Sequence, residues 1–172
     1  MPKRNPSEII IFDDCIAVVA NNTRNLHYFD LDMYNKLAGK GWREEDKGYI
    51  KATISGKTVY AHWLVIGRPP KGKIVDHKDR NKKNNRKRNL RHINKSQNQW
   101  NVGLQRNNTS GFKGVGFDKS IGRYKARIYV DGKEMRLGSF KTAKRAAIEY
   151  DKAAIKYHGE FAVTNKMLGL LD

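Results

Sequence analysis

Cysteine, acidic side chains and long apolar runs are all scarce in this chain of 172 residues. The single cysteine, Cys15, cannot form an internal disulfide, and there is no Cys-x-x-Cys pair for a structural zinc ion. The longest apolar run, Cys15 to Ala20, is far shorter than the roughly 20 residues that span a bilayer. The polar N-terminus does not resemble a signal peptide. These absences predict an intracellular protein without a membrane anchor, whose stability comes from packing.

Negative charge is scarce because 17 Asp and Glu residues stand against 35 Lys and Arg residues, for a formal net charge of +18. The excess is concentrated in residues 67–106, which carry 13 basic and 2 acidic side chains. Residues 1–66 have a net charge of +1, and residues 107–172 have a net charge of +6. A chain this basic repels itself and is typical of proteins that bind polyanions, so nucleic acid is the expected partner.

The first part of the chain is predicted to be rich in β-structure. Its β-prone segments are 7–12, 15–20, 49–54, 58–61, 74–77 and 90–93. A short helix is predicted over 31–37, and another begins near Ser96. The last two strands flank a long basic loop, which gives the order strand, loop, strand, helix.

The pattern changes after a polar linker at 107–111. Three strands are predicted over 114–118, 123–130 and 133–140, and Asp131-Gly132 between the last two favours a type I′ turn. Apolar and cationic side chains alternate along the middle strand, so one face of this sheet is expected to be apolar and the other cationic. Small and aromatic residues at helical spacing, between Thr142 and Gly159, predict an amphipathic helix on the apolar face. The predicted fold class is α+β.

Four polar residues form a spaced set on the strand, loop, strand, helix segment: Asp76, His77, Asn89 and Asn98. Carboxylate and amide oxygens are hard ligands, which suit Mg²⁺ or Mn²⁺ better than zinc. A histidine with an ordinary pKa of about 6.5 suits a general base. Neighbouring side chains on a strand point in different directions. Asp76 can therefore bind a metal ion while His77 acts at a different point on the same phosphate. This combination favours phosphodiester hydrolysis.

The other histidines are not assigned a role in catalysis. His62 is expected to be packed or hydrogen-bonded. His92 lies in the second of the two strands, near the site, and no role is predicted for it. His27 and His158 are expected at the surface or at the ends of elements.

The segment 75–98 resembles the HNH endonucleases with a ββα-metal fold, especially the phage and intron-type homing endonucleases. The matching stretches are 75–81, 84–86, 89–91 and 97–98. The resemblance implies that His77 deprotonates the attacking water and that Asp76 and Asn98 hold one divalent ion, while Asn89 fixes the loop and orients His77. Further basic side chains of this segment are expected to contact DNA: Arg80, Lys82, Lys83, Arg86 and Arg91.

Residues 107–165 resemble a second family, the plant DNA-binding domain of the APETALA-two and ethylene-response-factor type, which also occurs fused to phage HNH nucleases. The matching stretches include 110–115, 122–128, 137–140 and 146–154. In that family, a three-stranded sheet enters the major groove. The resemblance implies DNA contacts by Lys113, Arg127, Tyr129 and Arg136, with Arg123 and Lys125 near the backbone. Gly116 and Asp118 replace typical arginines, so the plant recognition sequence is not transferred.

The sequence therefore predicts a freestanding homing endonuclease that prefers certain sites on double-stranded DNA. Its expected domains are a nuclease domain over 1–104, with the HNH core at 61–104, and a DNA-binding domain over 107–165. We expect a monomer with one Mg²⁺ or Mn²⁺ ion, no structural zinc and no small-molecule cofactor, located in the bacterial cytoplasm if a phage encodes it. Two alternatives are an inactive DNA-binding regulator and an RNA-binding basic protein. Cleavage of one strand or of both is compatible with the sequence.

Overall fold

The computed structural model describes residues 5–172, so residues 1–4 of the predicted first domain lie outside the described part of the chain. The chain divides into two compact units, residues 1–93 and residues 94–172. The first has three small antiparallel sheets and the second has one, with few helices in either, as expected for the α+β class. The predicted domain limits, 1–104 and 107–165, stay predictions. No helix within residues 5–172 is long and apolar enough to cross a membrane.

The first unit contains three small sheets. The first sheet has the antiparallel order β1 (Ile9–Ile11), β2 (Ile16–Val19), β3 (Leu26–Phe29). The second has the order β4 (Arg43–Glu44), β5 (Ile50–Ile54), β6 (Lys57–Tyr60). The third pairs β7 (Ile74–His77) with β8 (Leu90–Ile93). The helices are α1 (Tyr34–Leu37), which continues a 3₁₀ turn at Leu31–Met33, and α2 (Ala61–Ile66).

One apolar cluster stabilises the first unit. Its largest members are fully buried: Trp42, Phe29, Ile16, Leu37 and Ile50. The Trp42 indole N–H donates to the carbonyl oxygen of Leu37 over 2.9 Å, so the one polar atom of this ring is satisfied inside the core. All four side chains of β2 are buried, which is expected for a central strand that is covered on both faces.

The second unit consists of α3 (Lys95–Trp100) followed by a three-stranded sheet and a long helix. The sheet has the order β11 (Lys133–Phe140), β10 (Arg123–Val130), β9 (Val115–Asp118), and the helix is α4 (Ala143–His158). Asp131 and Gly132 both have positive φ angles, 49° and 77°, which confirms the predicted turn. The Thr142 side chain accepts from the backbone N–H of Arg145 and caps α4 as predicted.

The core of the second unit lies between the sheet and α4. Ala126 and Ile128 of β10 are each 1% exposed, while their neighbours Arg127 and Tyr129 are exposed, so the predicted two-faced strand is confirmed. Small side chains allow the helix to lie close to the sheet. A Cβ atom added at Gly114 would lie 1.9 Å from the ring of Tyr150, so only glycine is compatible with this contact.

The structure also differs from the sequence-based expectations. Strands β3 and β4 and helix α2 were not predicted. The expectation that His27 is a surface or capping residue is wrong, because its exposure is 0%. His158 is 5% exposed and is therefore not a surface residue, but it is the last residue of α4, as the alternative expectation of an element end required. His27 lies 3.6 Å from the carboxylate of Glu44, and His158 stacks on Trp100 with 4.4 Å between ring centroids. Both rings fill core positions that the surrounding sequence does not reveal.

Candidate active site and DNA-binding face

The predicted nuclease residues of the first unit lie on the β7–β8 pair and its connecting loop. The register places Asp76 opposite Arg91 and His77 opposite Leu90. Asp76 and His77 are 8% and 3% exposed, so both polar side chains are buried. Buried polar side chains in a small sheet destabilise the fold unless their hydrogen bonds are satisfied. Asn85 of the loop is a partner of His77, and Arg91 of β8 is a partner of Asp76.

Asn89 closes the basic loop through both ends of its amide. Its Oδ1 accepts from the backbone N–H of Asp79 over 3.1 Å, and its Nδ2 donates to Asp79 Oδ1 over 2.9 Å and to the carbonyl oxygen of Asn84 over 2.7 Å. The backbone N–H of Lys78 donates to the carbonyl oxygen of Asn89 over 2.8 Å. These bonds hold the start and the end of the loop together directly after His77.

His77 has the environment of a neutral base. Burial lowers the pKa of its imidazole, against a smaller opposing effect of its hydrogen bond with Asn85. Nε2 of the ring lies 3.2 Å from Oδ1 of Asn85. An imidazole with a lowered pKa is unprotonated at neutral pH, so one ring nitrogen carries the lone pair that general-base catalysis requires.

Asp76 is held by the opposite strand. Its Oδ2 accepts from Nε of Arg91 over 2.9 Å, and the Arg91 side chain is only 12% exposed. Arg91 was predicted to contact DNA, and the structure places its guanidinium against this carboxylate. A charge-assisted bond of this kind fixes the carboxylate on the same sheet as His77.

Aromatic rings surround the candidate base. The ring centroids of Tyr49 and His62 lie 6.0 Å and 5.9 Å from that of His77. Burial, with a smaller contribution from the charge of His77, lowers the pKa of His62 to about 4. Lys82, predicted to bind DNA, places Nζ 4.7 Å from the centroid of Tyr49 and donates to the carbonyl oxygen of Lys47 over 2.7 Å. Burial against these rings is why the pKa values of both histidines are lowered.

The other predicted DNA contacts of the loop have different surroundings. Arg86 donates to Oδ2 of Asp14 over 3.1 Å and is 17% exposed. Arg80 is exposed and has a positive φ angle of 64°. The backbone of Lys83 accepts from the N–H of Tyr28 over 2.7 Å, which ties the loop to β3.

The predicted metal ligands fit a hard divalent ion by their chemistry. Within residues 5–172 no group of three or more His, Cys, Asp or Glu side chains is arranged to hold a metal ion. Of the two predicted ligands only Asp76 is one of these four residue types, because Asn98 is an asparagine. Mg²⁺ keeps several water ligands and is bound by one or two carboxylates together with substrate phosphates, so an Asp and an Asn are suitable donor types. Asp76 lies on β7 of the first unit and Asn98 on α3 of the second, and their joint role as metal ligands stays a prediction. Asn98 lies on α3, where its backbone N–H donates to the carbonyl oxygen of Asn94 over 3.0 Å.

The exposed face of the β9–β11 sheet carries most of the predicted DNA-binding residues of the second unit. The exposed predicted residues are Arg123, Lys125, Arg127, Tyr129 and Arg136. Two acidic side chains pair with them. Glu134 accepts from the Tyr129 hydroxyl over 2.8 Å and lies 3.4 Å from Nη1 of Arg127 and 4.0 Å from Nε of Arg136. Asp118 pairs with Lys125, and this bond holds the pKa of the Asp118 carboxyl below its usual range.

Lys113 has a different position from the rest of that predicted set. Its Nζ donates to the carbonyl oxygens of Trp100 and Val102 over 2.8 Å and 2.6 Å. An ammonium group at this point stabilises the C-terminal end of α3 because the last carbonyls of a helix lack intrahelical donors. The structure therefore places the Lys113 head group at the end of α3.

Two functional features were not predicted. The sequence predicts only a polar loop around Asn85, yet this residue is 1% exposed and contacts His77. Tyr49 was assigned only to a strand, yet its ring is one wall of the site. Tyr49 reaches His77 from a segment 28 residues away, and Asn85 reaches it only because the loop folds back, so neither contact is visible in the local sequence.

Comparisons with known proteins agree with both halves of this description. A family described as HNH endonuclease matches residues 59–100. Protein 3.8 of Escherichia phage T7 is 32% identical over 101 residues, which cover 58% of this chain and 83% of that protein. No solved structure matches the chain significantly.

Plant proteins match a shorter stretch. The AP2-like ethylene-responsive transcription factor TOE2 of Arabidopsis thaliana is 41% identical over 64 residues, 37% of this chain and 13% of that protein. APETALA2-like protein 2 of Oryza sativa subsp. indica is 44% identical over 54 residues, 31% of this chain and 12% of that protein. The chain thus spans about one eighth of the length of these plant relatives. Taken with the site geometry, the matches show that the chain belongs to the HNH endonuclease family and also contains an AP2-like DNA-binding region.

Proposed function

We propose that this protein is a site-preferring DNA endonuclease that hydrolyses phosphodiester bonds with one divalent metal ion and His77 as general base. The observation that carries the proposal is the buried, neutral His77 next to the buried carboxylate of Asp76 on the β7–β8 pair. A base near neutrality beside a hard oxygen ligand is the minimum set for activating water at a phosphate.

Each proposed residue has one task. His77 takes a proton from the attacking water, and Asn89 keeps the loop that follows His77 closed through its bonds to Asp79 and Asn84. Asp76 and Asn98 would hold the metal ion. A bound Mg²⁺ or Mn²⁺ ion would stabilise the extra negative charge on the phosphate and on the 3′ leaving oxygen. The products would carry a 5′-phosphate and a 3′-hydroxyl group, as the family resemblance implies.

The AP2-like region would supply affinity and site preference. Arg123, Arg127 and Arg136 on the exposed sheet face are suited to phosphates and base edges, and the net charge of +18 favours association with any duplex. The matched phage protein is consistent with a freestanding homing endonuclease that a phage encodes. We propose domains over 1–104 and 107–165 for the two tasks, acting as a monomer.

The proposal is tested by incubating supercoiled plasmid and phage genomic DNA with wild type, His77→Ala and His92→Ala. His92 is a matched control because it is a histidine of the same strand pair whose ring contacts the carbonyl oxygen of Gly67 at 3.3 Å. We expect nicked or linear DNA from wild type and His92→Ala with Mg²⁺ or Mn²⁺, and none from His77→Ala or with EDTA. If all three proteins bind DNA and none cuts it, the protein is a DNA-binding regulator and the proposal fails.

A further inference from the structure

Asn85 is a fully buried amide in the middle of the most basic loop of the chain. Its exposed fraction is 1%, although the residues around it are Lys82, Lys83, Arg86 and Lys87. Its backbone N–H donates to the carbonyl oxygen of Tyr28 over 2.8 Å, so β3 holds this part of the loop in place. Burying an amide is unfavourable unless its donors and its acceptor all find partners, and a solvated loop has no need to bury one.

Hydrogen-bond partners determine the orientation of the Asn85 amide. Its Nδ2 lies 3.3 Å from the carbonyl oxygens of both Lys82 and Lys83. A carbonyl oxygen can only accept, so the amide nitrogen must be the atom on that side. The amide oxygen then points the other way, and it lies 3.2 Å from Nε2 of His77.

This orientation decides which nitrogen of His77 carries the proton. The Oδ1 atom of Asn85 can only accept, so the bond between the two side chains exists only when Nε2 of His77 carries hydrogen. In a neutral imidazole the lone pair is then on Nδ1. The bond also fixes the rotation of the ring, because turning the ring moves Nε2 away from Oδ1.

We infer that Asn85 is a positioning residue that holds His77 in the Nε2–H tautomer and in one ring orientation, so that Nδ1 accepts the proton of the attacking water. The inference rests on the proposed function. In the step, an O–H bond of water breaks, its proton moves to Nδ1, and the water oxygen forms a bond to phosphorus. The bond from phosphorus to the 3′ oxygen breaks, and that oxygen keeps the electron pair and takes a proton from solvent. His77 then returns its proton to solvent.

A purely structural role for Asn85 makes different predictions. The loop is tied to β3 by backbone bonds between Asn85 and Tyr28 and between Tyr28 and Lys83, and these bonds survive any change of the Asn85 side chain. If the side chain only filled space, its removal would lower the melting temperature and leave the chemistry of folded protein unchanged. If it positions His77, its removal changes the imidazole proton and slows the chemical step at full DNA saturation.

The test uses full-length wild type, Asn85→Ala, Asn85→Asp and the control Asn81→Ala. Asn81 is an exposed asparagine of the same loop whose Oδ1 accepts from the backbone N–H of Lys83 over 3.1 Å. Three quantities are measured at pH 8: the ¹⁵N and ¹H signals of the His77 ring, assigned with His77→Gln, the single-turnover cleavage rate with Mg²⁺ at saturating protein, and the dissociation constant for DNA. Thermal melting sets the temperature at which every variant is folded.

We expect wild type and Asn81→Ala to show a proton on Nε2 of His77 that exchanges slowly with water. Asn85→Ala should lose this protection and cleave about 10- to 100-fold more slowly with an unchanged dissociation constant, as is typical for loss of a partner that orients a functional histidine. Asn85→Asp keeps an acceptor oxygen beside Nε2. It should keep the protected proton and cleave faster than Asn85→Ala, although its carboxylate faces two carbonyls and should lower the melting temperature.

The inference is overturned if the His77 ring of the wild-type protein carries its proton on Nδ1. It is also overturned if folded Asn85→Ala cleaves DNA as fast as Asn81→Ala. A protected Nε2 proton in a wild-type protein that cuts no DNA would refute the proposed function alone and would still support the tautomer assignment. The spectroscopic and kinetic results therefore separate the two claims.

Discussion

Acid should destabilise the first unit through His62. This ring is 6% exposed and is surrounded by Tyr49, Tyr60, Trp63 and His77. Its pKa is lowered from 6.5 to about 4, mainly by burial and partly by the charge of a protonated His77, against a smaller opposing effect of Glu45. The folded protein therefore resists protonation of His62 at a pH where an unfolded chain accepts the proton.

The direction and the magnitude of the change in the free energy of unfolding follow from the pKa values of His62 in the unfolded and folded states. Well above pH 6.5 neither state is protonated and the penalty is absent. As the pH falls the unfolded state binds the proton first, so the free energy of unfolding decreases until the folded state also binds it near pH 4. A pKa difference of about 2.5 corresponds to about 3 kcal/mol lost at the lowest pH, and about 2 kcal/mol of this is lost by pH 5.

Urea unfolding of wild type and His62→Gln at pH 7 and pH 5 measures the effect. The Trp100→Phe background leaves Trp42 and Trp63 of the first unit as the fluorescent reporters. Both proteins keep the buried His27 and His77, so the difference between the two unfolding free energies reports His62 together with its coupling to His77. We expect that difference to change by about 2 kcal/mol in favour of the variant between pH 7 and pH 5. An equal difference at both pH values would refute the reasoning.

Three further predictions concern packing, DNA affinity and the loop. Gly114→Ala should lower the unfolding free energy of the second unit by roughly 3 kcal/mol or more, measured by thermal melting, because its Cβ would overlap the Tyr150 ring at a φ of +75°. Glu134→Gln should tighten DNA binding several-fold and steepen the salt dependence of binding by about one unit of slope, since Arg127 loses its carboxylate partner. Asn89→Ala should lower the unfolding free energy of the first unit by about 2 kcal/mol in urea, because three hydrogen bonds of the loop are lost and their partners stay partly buried.

Each of these has a matched control in the same unit. Gly111→Ala has a similar φ of +78° with no atom within 4 Å of the new Cβ, so it should cost only about 1 kcal/mol. Glu149→Gln removes a carboxylate that pairs with Arg145 and Lys152 on α4 and should leave the DNA salt slope unchanged. Asn81→Ala should leave the urea midpoint nearly unchanged. Equal effects of a variant and its control would contradict the corresponding prediction.

Elements with strong local signals could be predicted from the sequence. Strands β7, β8, β10 and β11 have the bounds that their apolar patterns and the Asp131-Gly132 turn indicate. Helix α4 begins after its Thr142 cap and ends before Gly159, as the capping rules require. In these segments the residues that determine the element lie within a few positions of one another. The element can therefore be predicted without knowledge of the tertiary contacts.

Elements that depend on tertiary contacts could not be predicted. Helix α2 follows Tyr60, which makes no side-chain cap, and its aromatic and β-branched residues are poor helix formers that burial against the core supports. Strand β4 has two residues and exists only as a partner of β5. Short elements of this kind have too few residues for periodicity to be visible.

In the candidate site, too, some residues could be predicted from the sequence and others could not. Asp76 and His77 stand out because the pair and its spacing to Asn89 resemble a known motif. Asn85 lies in a matching stretch, but the resemblance assigns it no role, because its contact with His77 exists only after the loop folds back onto β3. Counting charges also overestimates the positive potential of the sheet face, since the contacts of Glu134 with Arg127 and Arg136 are visible only in three dimensions.

The central claim, that His77 activates water for DNA cleavage, is tested most directly by single-turnover cleavage of end-labelled duplex DNA at saturating protein with Mg²⁺ or Mn²⁺. Wild type, His77→Ala, and His77→Ala with added imidazole are compared. The account predicts that His77→Ala binds DNA normally but cleaves at least about 100-fold more slowly, and that imidazole restores part of the rate. Cleavage by His77→Ala at the wild-type rate, or cleavage by wild type that persists in EDTA, would contradict it.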